Sequence, residues 1–118
     1  MYWRGSVSKT WKAVERRIAE KLGGQRMSNH ALGLKTPDVE SPWLSVEVKH
    51  RKALPKWIKQ AMVQAVTNND DESKLPLVVL HEKYQCHDDD LVMLRLGDFL
   101  DWFGDVGQPE DNERDNLA

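Results

Sequence analysis

Apolar residues recur at intervals of three and four positions between residues 9 and 22, which predicts an amphipathic helix. The recurring residues are Trp11, Val14, Ile18 and Leu22. A hydroxyl of Ser8 or Thr10 is placed to cap the start of this helix, and Gly23 is placed to end it. The first element of the chain is therefore expected to be a helix with one apolar face.

Three short segments with strand character follow this helix, over about residues 25–28, 38–41 and 44–49. Residues 29–37 are expected to form the loop between the first two segments. Pro42 indicates a tight turn between the second and the third. The second and third segments are therefore predicted to form a hairpin.

In the second half of the chain, apolar residues again recur first at intervals typical of a helix and then at intervals typical of strands. A helix is predicted over residues 55–67, since proline is favoured as the first residue of a helix. Strands are expected over residues 77–81 and 91–96, and Asp98 would cap a last helix over residues 99–103. The order of elements predicts an α/β fold in which a central mixed five-stranded sheet is flanked by helices.

The chain of 118 residues is short enough for one domain, and its 40% hydrophobic residues allow one modest core. Apolar residues become scarce after Gly104, and residues 105–118 carry five acids against one arginine. We therefore expect a domain over residues 1–104 and an acidic, disordered C-terminal tail over residues 105–118.

Neither a membrane span nor a secretory signal is expected in this sequence. No apolar run approaches the roughly 18 residues that a span requires, and the first residues lack the apolar stretch of a signal peptide. The single Cys86 excludes an internal disulfide and is typical of a reducing compartment. We therefore expect a cytoplasmic protein.

The net charge of −2 conceals two regions of opposite sign. Residues 1–60 hold 13 Lys and Arg against 5 Asp and Glu, a balance of +8, whereas residues 61–118 hold 4 against 14, a balance of −10. A basic half of this size favours contact with the phosphate backbone of a nucleic acid. Two solvated patches that pair between molecules are the alternative, and charge alone does not decide between them.

The third strand segment carries an acid and a base on one face. Leu44, Val46 and Val48 are expected to point towards the core, because side chains alternate along a strand. Glu47 and Lys49 then share the opposite face. Taken alone, such a pair is more often a solvent-facing salt bridge than part of an active site.

Asp38 changes this interpretation, because it begins the neighbouring segment of the predicted hairpin, directly after Pro37. Antiparallel pairing across the turn would bring Asp38 near Glu47 or Lys49. Two facing carboxylates repel each other unless a cation neutralises them, and Mg²⁺ binds through one or two carboxylates while it keeps water as its other ligands. The pattern therefore favours a Mg²⁺ site, with Lys49 within reach of a metal-bound water or of a phosphate.

Glu15 lies within the apolar face of the first predicted helix. At about 100° per residue, its direction differs by roughly 40° from that of Trp11. A buried acid needs a metal or a basic partner at the rim of the core. Gln60 and Gln64 lie one turn apart on the second predicted helix, where they could contact the metal site or a phosphate, or could form a solvated edge.

The dipeptide Pro37-Asp38 followed by the tripeptide Glu47-Val48-Lys49 resembles the PD-(D/E)xK nuclease motif. Together with the preceding helix and the order of elements, these residues make most of the chain similar to archaeal-type Holliday junction resolvases and their phage relatives. The resemblance implies a restriction-endonuclease-like core. It also implies a homodimeric endodeoxyribonuclease that cuts four-way DNA junctions, in the cytoplasm of the host cell if a phage encodes it.

The roles that the resemblance implies fall on a few residues. Asp38 and Glu47 would bind Mg²⁺, for which Mn²⁺ substitutes, and the backbone carbonyl of Val48 would be a third ligand. Lys49 would orient the attacking water or stabilise charge on the phosphate, and Glu15 would be a further ligand of the metal or the water. The implied reaction is in-line hydrolysis of a phosphodiester that leaves a 5′-phosphate.

The chain departs from this family in two respects. Relatives usually have a Ser-Gly stretch before Pro-Asp, so Ser28, Asn29 or His30 of the loop here would supply a helper residue. Relatives are also strongly basic, whereas the second half of this chain is acidic, so DNA contact is expected through the N-terminal half. The candidate phosphate contacts are Arg16, Arg17, Lys21, Arg26, Lys35, His50, Arg51, Lys52, Lys56 and Lys59.

Two alternatives to a junction-resolving enzyme remain open. A different PD-(D/E)xK nuclease, of restriction, nicking or flap type, would carry the same motif. The motif specifies the residues that cleave the phosphodiester, and it does not specify the shape of the DNA substrate. A non-catalytic DNA-binding protein on the same fold is the other alternative, although it would have no need of three acids beside a phosphate.

A second group of metal-ligating residue types lies near position 87. His81, Cys86 and His87 precede the acidic run at residues 88–90, but their spacing fits no familiar zinc pattern. We interpret this segment as a polar hairpin turn.

Overall fold

The computed structural model describes residues 10–28, 33 and 35–107. They belong to two compact units, which are described separately: residues 1–50 with 105–118, and residues 51–104. The division falls after His50, and a single domain over residues 1–104 stays a prediction.

The first unit begins with helix α1, Trp11–Leu22. The Oγ1 atom of Thr10 accepts a hydrogen bond of 3.1 Å from the Ala13 amide, which satisfies one of the amides left unpaired at a helix start. Gly23 adopts the left-handed conformation, with φ of 67°, and ends the helix. The prediction of Thr10 as the cap is confirmed, and the alternative, Ser8, lies outside the described residues.

Helix α1 is followed by an antiparallel sheet of three short strands in the order β1-β2-β3. The strands are β1, Gln25–Arg26; β2, Val39–Glu40; and β3, Ser45–Val46. Each is shorter than its sequence pattern predicted. Val39 is fully buried at the centre of this unit. Gly24 allows β2 to approach closely, because a Cβ at this position would clash with the carbonyl oxygen of Glu40.

The hairpin turn between β2 and β3 forms as predicted. The Ser41 amide donates a hydrogen bond of 3.0 Å to the carbonyl of Leu44, and the Ser41 hydroxyl accepts one of 3.1 Å from the Leu44 amide. These two bonds fix the register of the strands. Val39 therefore lies opposite Val46, and Glu40 lies opposite Ser45.

The start of the expected disordered tail is packed in the structure. Gly107 lies against the indole of Trp43, and a Cβ at this glycine would stand 2.6 Å from Cδ1 of the ring. Gly107 also has a φ of +80°, which disfavours any other residue. The expectation of a disordered tail over residues 105–118 stays a prediction, and residues 108–118 lie outside the described part of the chain.

The second unit contains helix α2, Lys56–Asn68, followed by the antiparallel strands β4, Val78–Leu80, and β5, Leu91–Met93. Pro55 precedes α2 as its N-cap residue and is not its first helical residue. A short 3₁₀ turn, His87–Asp89, lies within the connection between the two strands.

The last helix, α3, spans Leu96–Phe103 and begins earlier than expected. Asp98 was expected to cap it, and this prediction is wrong, because Arg95 occupies the N-cap position. The Nε atom of Arg95 donates a hydrogen bond of 3.0 Å to Asp98, whose carboxylate lies in the first turn. An acid in the first turn is favourable next to the positive end of the helix dipole.

The described strands pair as a three-stranded sheet and a two-stranded sheet, and every recorded pairing is antiparallel. The joining of five strands into one mixed sheet stays a prediction. Within residues 10–28, 33 and 35–107, no helix combines the length and the apolar character needed to cross a membrane.

Candidate active site

Asp38 lies immediately before β2, and Glu47 immediately after β3. The recorded register pairs Val39 with Val46. Continued by one residue, it places Asp38 directly opposite Glu47. Side chains in that relationship have Cβ atoms about 4.5–5.5 Å apart. The first unit thus brings two carboxylates of the motif to one end of the hairpin.

A side-chain contact fixes Asp38 to the segment that carries Glu47. The Oδ2 atom of Asp38 accepts a hydrogen bond of 2.8 Å from the backbone amide of Val48. On its other side, the Asp38 carbonyl accepts a hydrogen bond of 2.9 Å from the Met27 amide. Asp38 is therefore bound to both neighbouring segments, although it lies outside the ladder itself.

Lys49 and Glu47 form an open ion pair. Lys49 Nζ lies 3.7 Å from Glu47 Oε2, and the two side chains are 67% and 58% exposed. A pair this exposed adds less than about 1 kcal/mol to stability. It is accessible to a large substrate, and its charges are available for a role other than holding the fold together.

Glu15 is buried, as its place on the apolar face predicted, but it has a protein partner. Arg26 Nε donates a hydrogen bond of 2.7 Å to Glu15 Oε2, and the two side chains are 16% and 6% exposed. This ion pair accounts for the burial of the acid without a metal. A role of Glu15 as a metal or water ligand stays a prediction.

The pairing of Arg26 also shows which side of the sheet Glu15 lies on. Arg26 lies opposite Val39, and residues that face each other across strands point to the same side. That side is the one that α1 covers, because Arg26 binds Glu15 there.

The chain matches no known protein family, curated protein or solved structure.

The expected helper residues are less well placed than the acids. Ser28 is exposed after β1, and Asn29 and His30 lie outside the described residues. Gln60 and Gln64 lie in the second unit, where they line one flank of α2 beside Lys56 and Lys59. Their participation in the site stays a prediction.

Thr36 was not singled out from the sequence. Its hydroxyl is buried, and it has no hydrogen-bond partner among the described residues. Buried polar groups are normally paired.

Most of the expected phosphate-contacting side chains are exposed. Arg26 is the exception, because Glu15 binds its guanidinium, and we therefore remove it from the set. Arg17 forms an exposed pair with Glu20 at 3.4 Å, which leaves it accessible. The other exposed members are Arg16, Lys21, Lys35 and His50 in the first unit, and Arg51, Lys52, Lys56 and Lys59 in the second.

The second unit contains a histidine–carboxylate cluster in the segment that the sequence analysis interpreted as a polar hairpin turn. His81 Nδ1 lies 2.6 Å from Asp90 Oδ1, and His87 Nδ1 lies 3.0 Å from Asp90 Oδ2. Hydrogen bonds from His87 and then from His81 lower the pKa of Asp90, against the opposing effect of burial. The pairing of β4 with β5 brings residues 81 and 90 together, so a correct strand register would have predicted the cluster.

Proposed function

We propose that this protein is a metal-dependent, structure-selective DNA endonuclease of the PD-(D/E)xK type, which cuts four-way junctions as a homodimer. The observation that supports the proposal is the hydrogen bond from the Val48 amide to the Asp38 carboxylate, which holds Asp38 at the segment that carries Glu47 and Lys49. An ordinary hairpin gains nothing from two facing acids. A metal-dependent phosphodiester-cleaving site uses such acids to bind its cation.

The residues present fit a hard divalent cation. Asp38 and Glu47 supply carboxylate oxygens from adjacent strand ends, which is the donor type that Mg²⁺ and Mn²⁺ prefer. The carbonyl of Val48, next along the chain, is a third oxygen at the same end of the hairpin. No thiol or imidazole belongs to this proposed set, so a softer metal is not favoured here.

Each residue of the proposed site has a distinct part in the reaction. The Val48 amide holds Asp38 in place, and Asp38 with Glu47 orients the attacking water. Lys49 Nζ stabilises the negative charge that develops on the phosphate oxygens. The bound cation would polarise the phosphate and lower the pKa of the water.

The bonds that form and break follow from in-line hydrolysis. The water oxygen forms a bond to phosphorus while the bond from phosphorus to the 3′ oxygen breaks, and the leaving oxygen takes up a proton. The products are a 5′-phosphate and a 3′-hydroxyl. This proposal needs neither Glu15 nor a side chain from the second unit.

The exposure of the site favours a macromolecular substrate. Glu47 and Lys49 are open to solvent, and exposed basic side chains occur in both units. Lys and Arg that neutralise phosphates release counterions, so affinity for DNA is expected to fall as salt concentration rises. Four-way junctions are proposed as the substrate through the family resemblance, and a dimer supplies the two sites needed for paired cuts.

The experiment is a substrate panel. The full-length chain is incubated with end-labelled four-way junctions, linear duplex, flaps and single strands, with Mg²⁺, with Mn²⁺ or with chelator. Paired nicks restricted to the junction, dependent on the metal, are the expected result. Cutting of plain duplex or of flaps overturns the junction preference and favours another PD-(D/E)xK nuclease. Junction binding without any cleavage overturns the enzyme assignment and favours a binding protein.

A further inference from the structure

The hairpin formed by β4 and β5 brings three potential metal ligands together. The last recorded pair of the ladder is Leu80 with Leu91. Continued by one residue, the register places His81 opposite Asp90, so the two flank the connection over residues 82–89. His87 returns to the same point because it begins the 3₁₀ turn, three residues before Asp90.

The side chains of this cluster converge on one carboxylate. His81 and His87 each direct Nδ1 at a different oxygen of Asp90, at 2.6 and 3.0 Å. Their rings stack with centroids 4.5 Å apart. Gln85 Nε2 donates a further hydrogen bond of 3.3 Å to Asp90 Oδ1. An ionised carboxylate only accepts, so the imidazole nitrogens that face it carry protons.

The spacing of the ligand atoms is close to what a metal requires. One ligand atom from each of the three residues lies within 4.8 Å of the other two. In a tetrahedral zinc site with bonds of about 2.0–2.1 Å, neighbouring ligand atoms are roughly 3.3 Å apart. A metal can therefore replace the two imidazole protons with small side-chain movements, because the hairpin already holds the three residues together.

The geometry points to a second, transition-metal site at this hairpin, in which Zn²⁺ or a similar divalent ion is bound by His81, His87 and Asp90. Two imidazoles and one carboxylate suit a borderline metal of this kind, whereas Mg²⁺ prefers an all-oxygen set. His87 is 83% exposed, which gives the ion an entry path and leaves room for water as a fourth ligand. The bound ion would fix the loop over residues 82–89.

Zinc binding by the full-length chain tests the site directly. Equilibrium dialysis against ZnCl₂ is expected to give one tightly bound ion per chain. His87→Ala is the decisive variant, because its exposed side chain is not needed for folding. We expect it to weaken binding more than about tenfold, since even residues that only orient a ligand contribute 10–100-fold. His50→Ala, an exposed histidine of the first unit, is the matched control and should bind as the wild type does.

A second pair of variants separates the bridging acid from its neighbours. Asp90→Asn should lose zinc, whereas Asp88→Asn, an exposed acid of the same turn, should keep it. Absorption of the Co²⁺-loaded chain reports the coordination geometry, and its tetrahedral bands should disappear in His81→Ala.

Two results would overturn the proposal. One is zinc binding by His87→Ala that equals the wild type, and the other is loss of the tight site in Asp38→Asn with retention in His87→Ala. None of these readouts is cleavage of DNA. Failure of the zinc site therefore leaves the proposed nuclease function untouched, and the reverse also holds.

Discussion

The carboxylate of Asp38 accepts a hydrogen bond of 2.8 Å from the backbone amide of Val48. A side chain from the start of one strand thus fixes the segment that follows the next strand. Because this segment also carries Glu47 and Lys49, the contact determines where the acid and the base of the motif lie. It is the structural relationship on which the proposed site depends.

Lys49 is expected to act in catalysis and not in folding. Lys49→Met should lower kcat about 10²–10³-fold, because a charge that stabilises the transition state is lost. The midpoint of thermal unfolding should stay within a few degrees, since the ion pair with Glu47 is exposed. Lys12→Met, an exposed lysine on α1, is the matched control. A kcat for Lys49→Met that is unchanged at saturating metal would contradict the assigned role.

The Glu15–Arg26 pair is expected to stabilise the first unit. Glu15→Ala should lower the free energy of unfolding by about 3 kcal/mol, because it leaves the Arg26 guanidinium without its partner. The double variant Glu15→Leu with Arg26→Met should recover most of that loss, as measured by urea unfolding. We also expect the double variant to cleave DNA within about tenfold of the wild type. Intact stability with no cleavage would instead assign Glu15 to the site.

The loop after α2 has a pH dependence that can be measured at one carboxyl group. The hydroxyl of Ser73 and its amide donate hydrogen bonds of 2.6 and 2.9 Å to Asp71, and they lower its pKa. A depressed folded-state pKa contributes stability above the unfolded pKa, and that contribution is lost as the pH falls through the folded value. Ser73→Ala should raise the Asp71 pKa in a carboxyl NMR titration. Ser45→Ala should leave it unchanged.

Two truncations distinguish the packed part of the tail from the rest. Removal of residues 108–118 takes away four acids and Arg114, and DNA binding should be at least as tight. Removal of residues 105–118 also uncovers Trp43, and it should lower the free energy of unfolding by about 1 kcal/mol more. Equal unfolding midpoints for the two truncated chains would show that the Gly107 contact contributes nothing.

The local elements of the first unit could be predicted from the sequence because their signals lie within a few residues. Thr10 caps α1, and the turn at Ser41 closes the hairpin, as the pattern indicated. The turn also sets the register that pairs Val39 with Val46, next to Asp38 and Glu47. Strand length was overestimated, because the alternating pattern continues beyond the residues that pair.

Contacts between distant elements could not be predicted in the same way. Arg26 was expected to contact phosphate. Its partner in the structure is Glu15, eleven positions earlier on a helix, and nothing in the local sequence shows that the two side chains meet. The segment around Asp90 was interpreted as a polar turn, and its cluster was not recognised, for the same reason. Its ligands are brought together by the pairing of β4 with β5, and they follow no recognised zinc spacing.

The most direct measurement is the single-turnover rate of cleavage of a labelled four-way junction in Mg²⁺ by four proteins. They are the wild type, Asp38→Asn, Glu47→Gln and the matched control Glu40→Gln, an exposed acid of β2. Paired cuts are expected from the wild type and the control, and rates more than about a hundredfold lower are expected from the other two, with junction binding retained. Wild-type rates in Asp38→Asn or Glu47→Gln, or no cleavage by the wild-type protein, would contradict the proposed nuclease function.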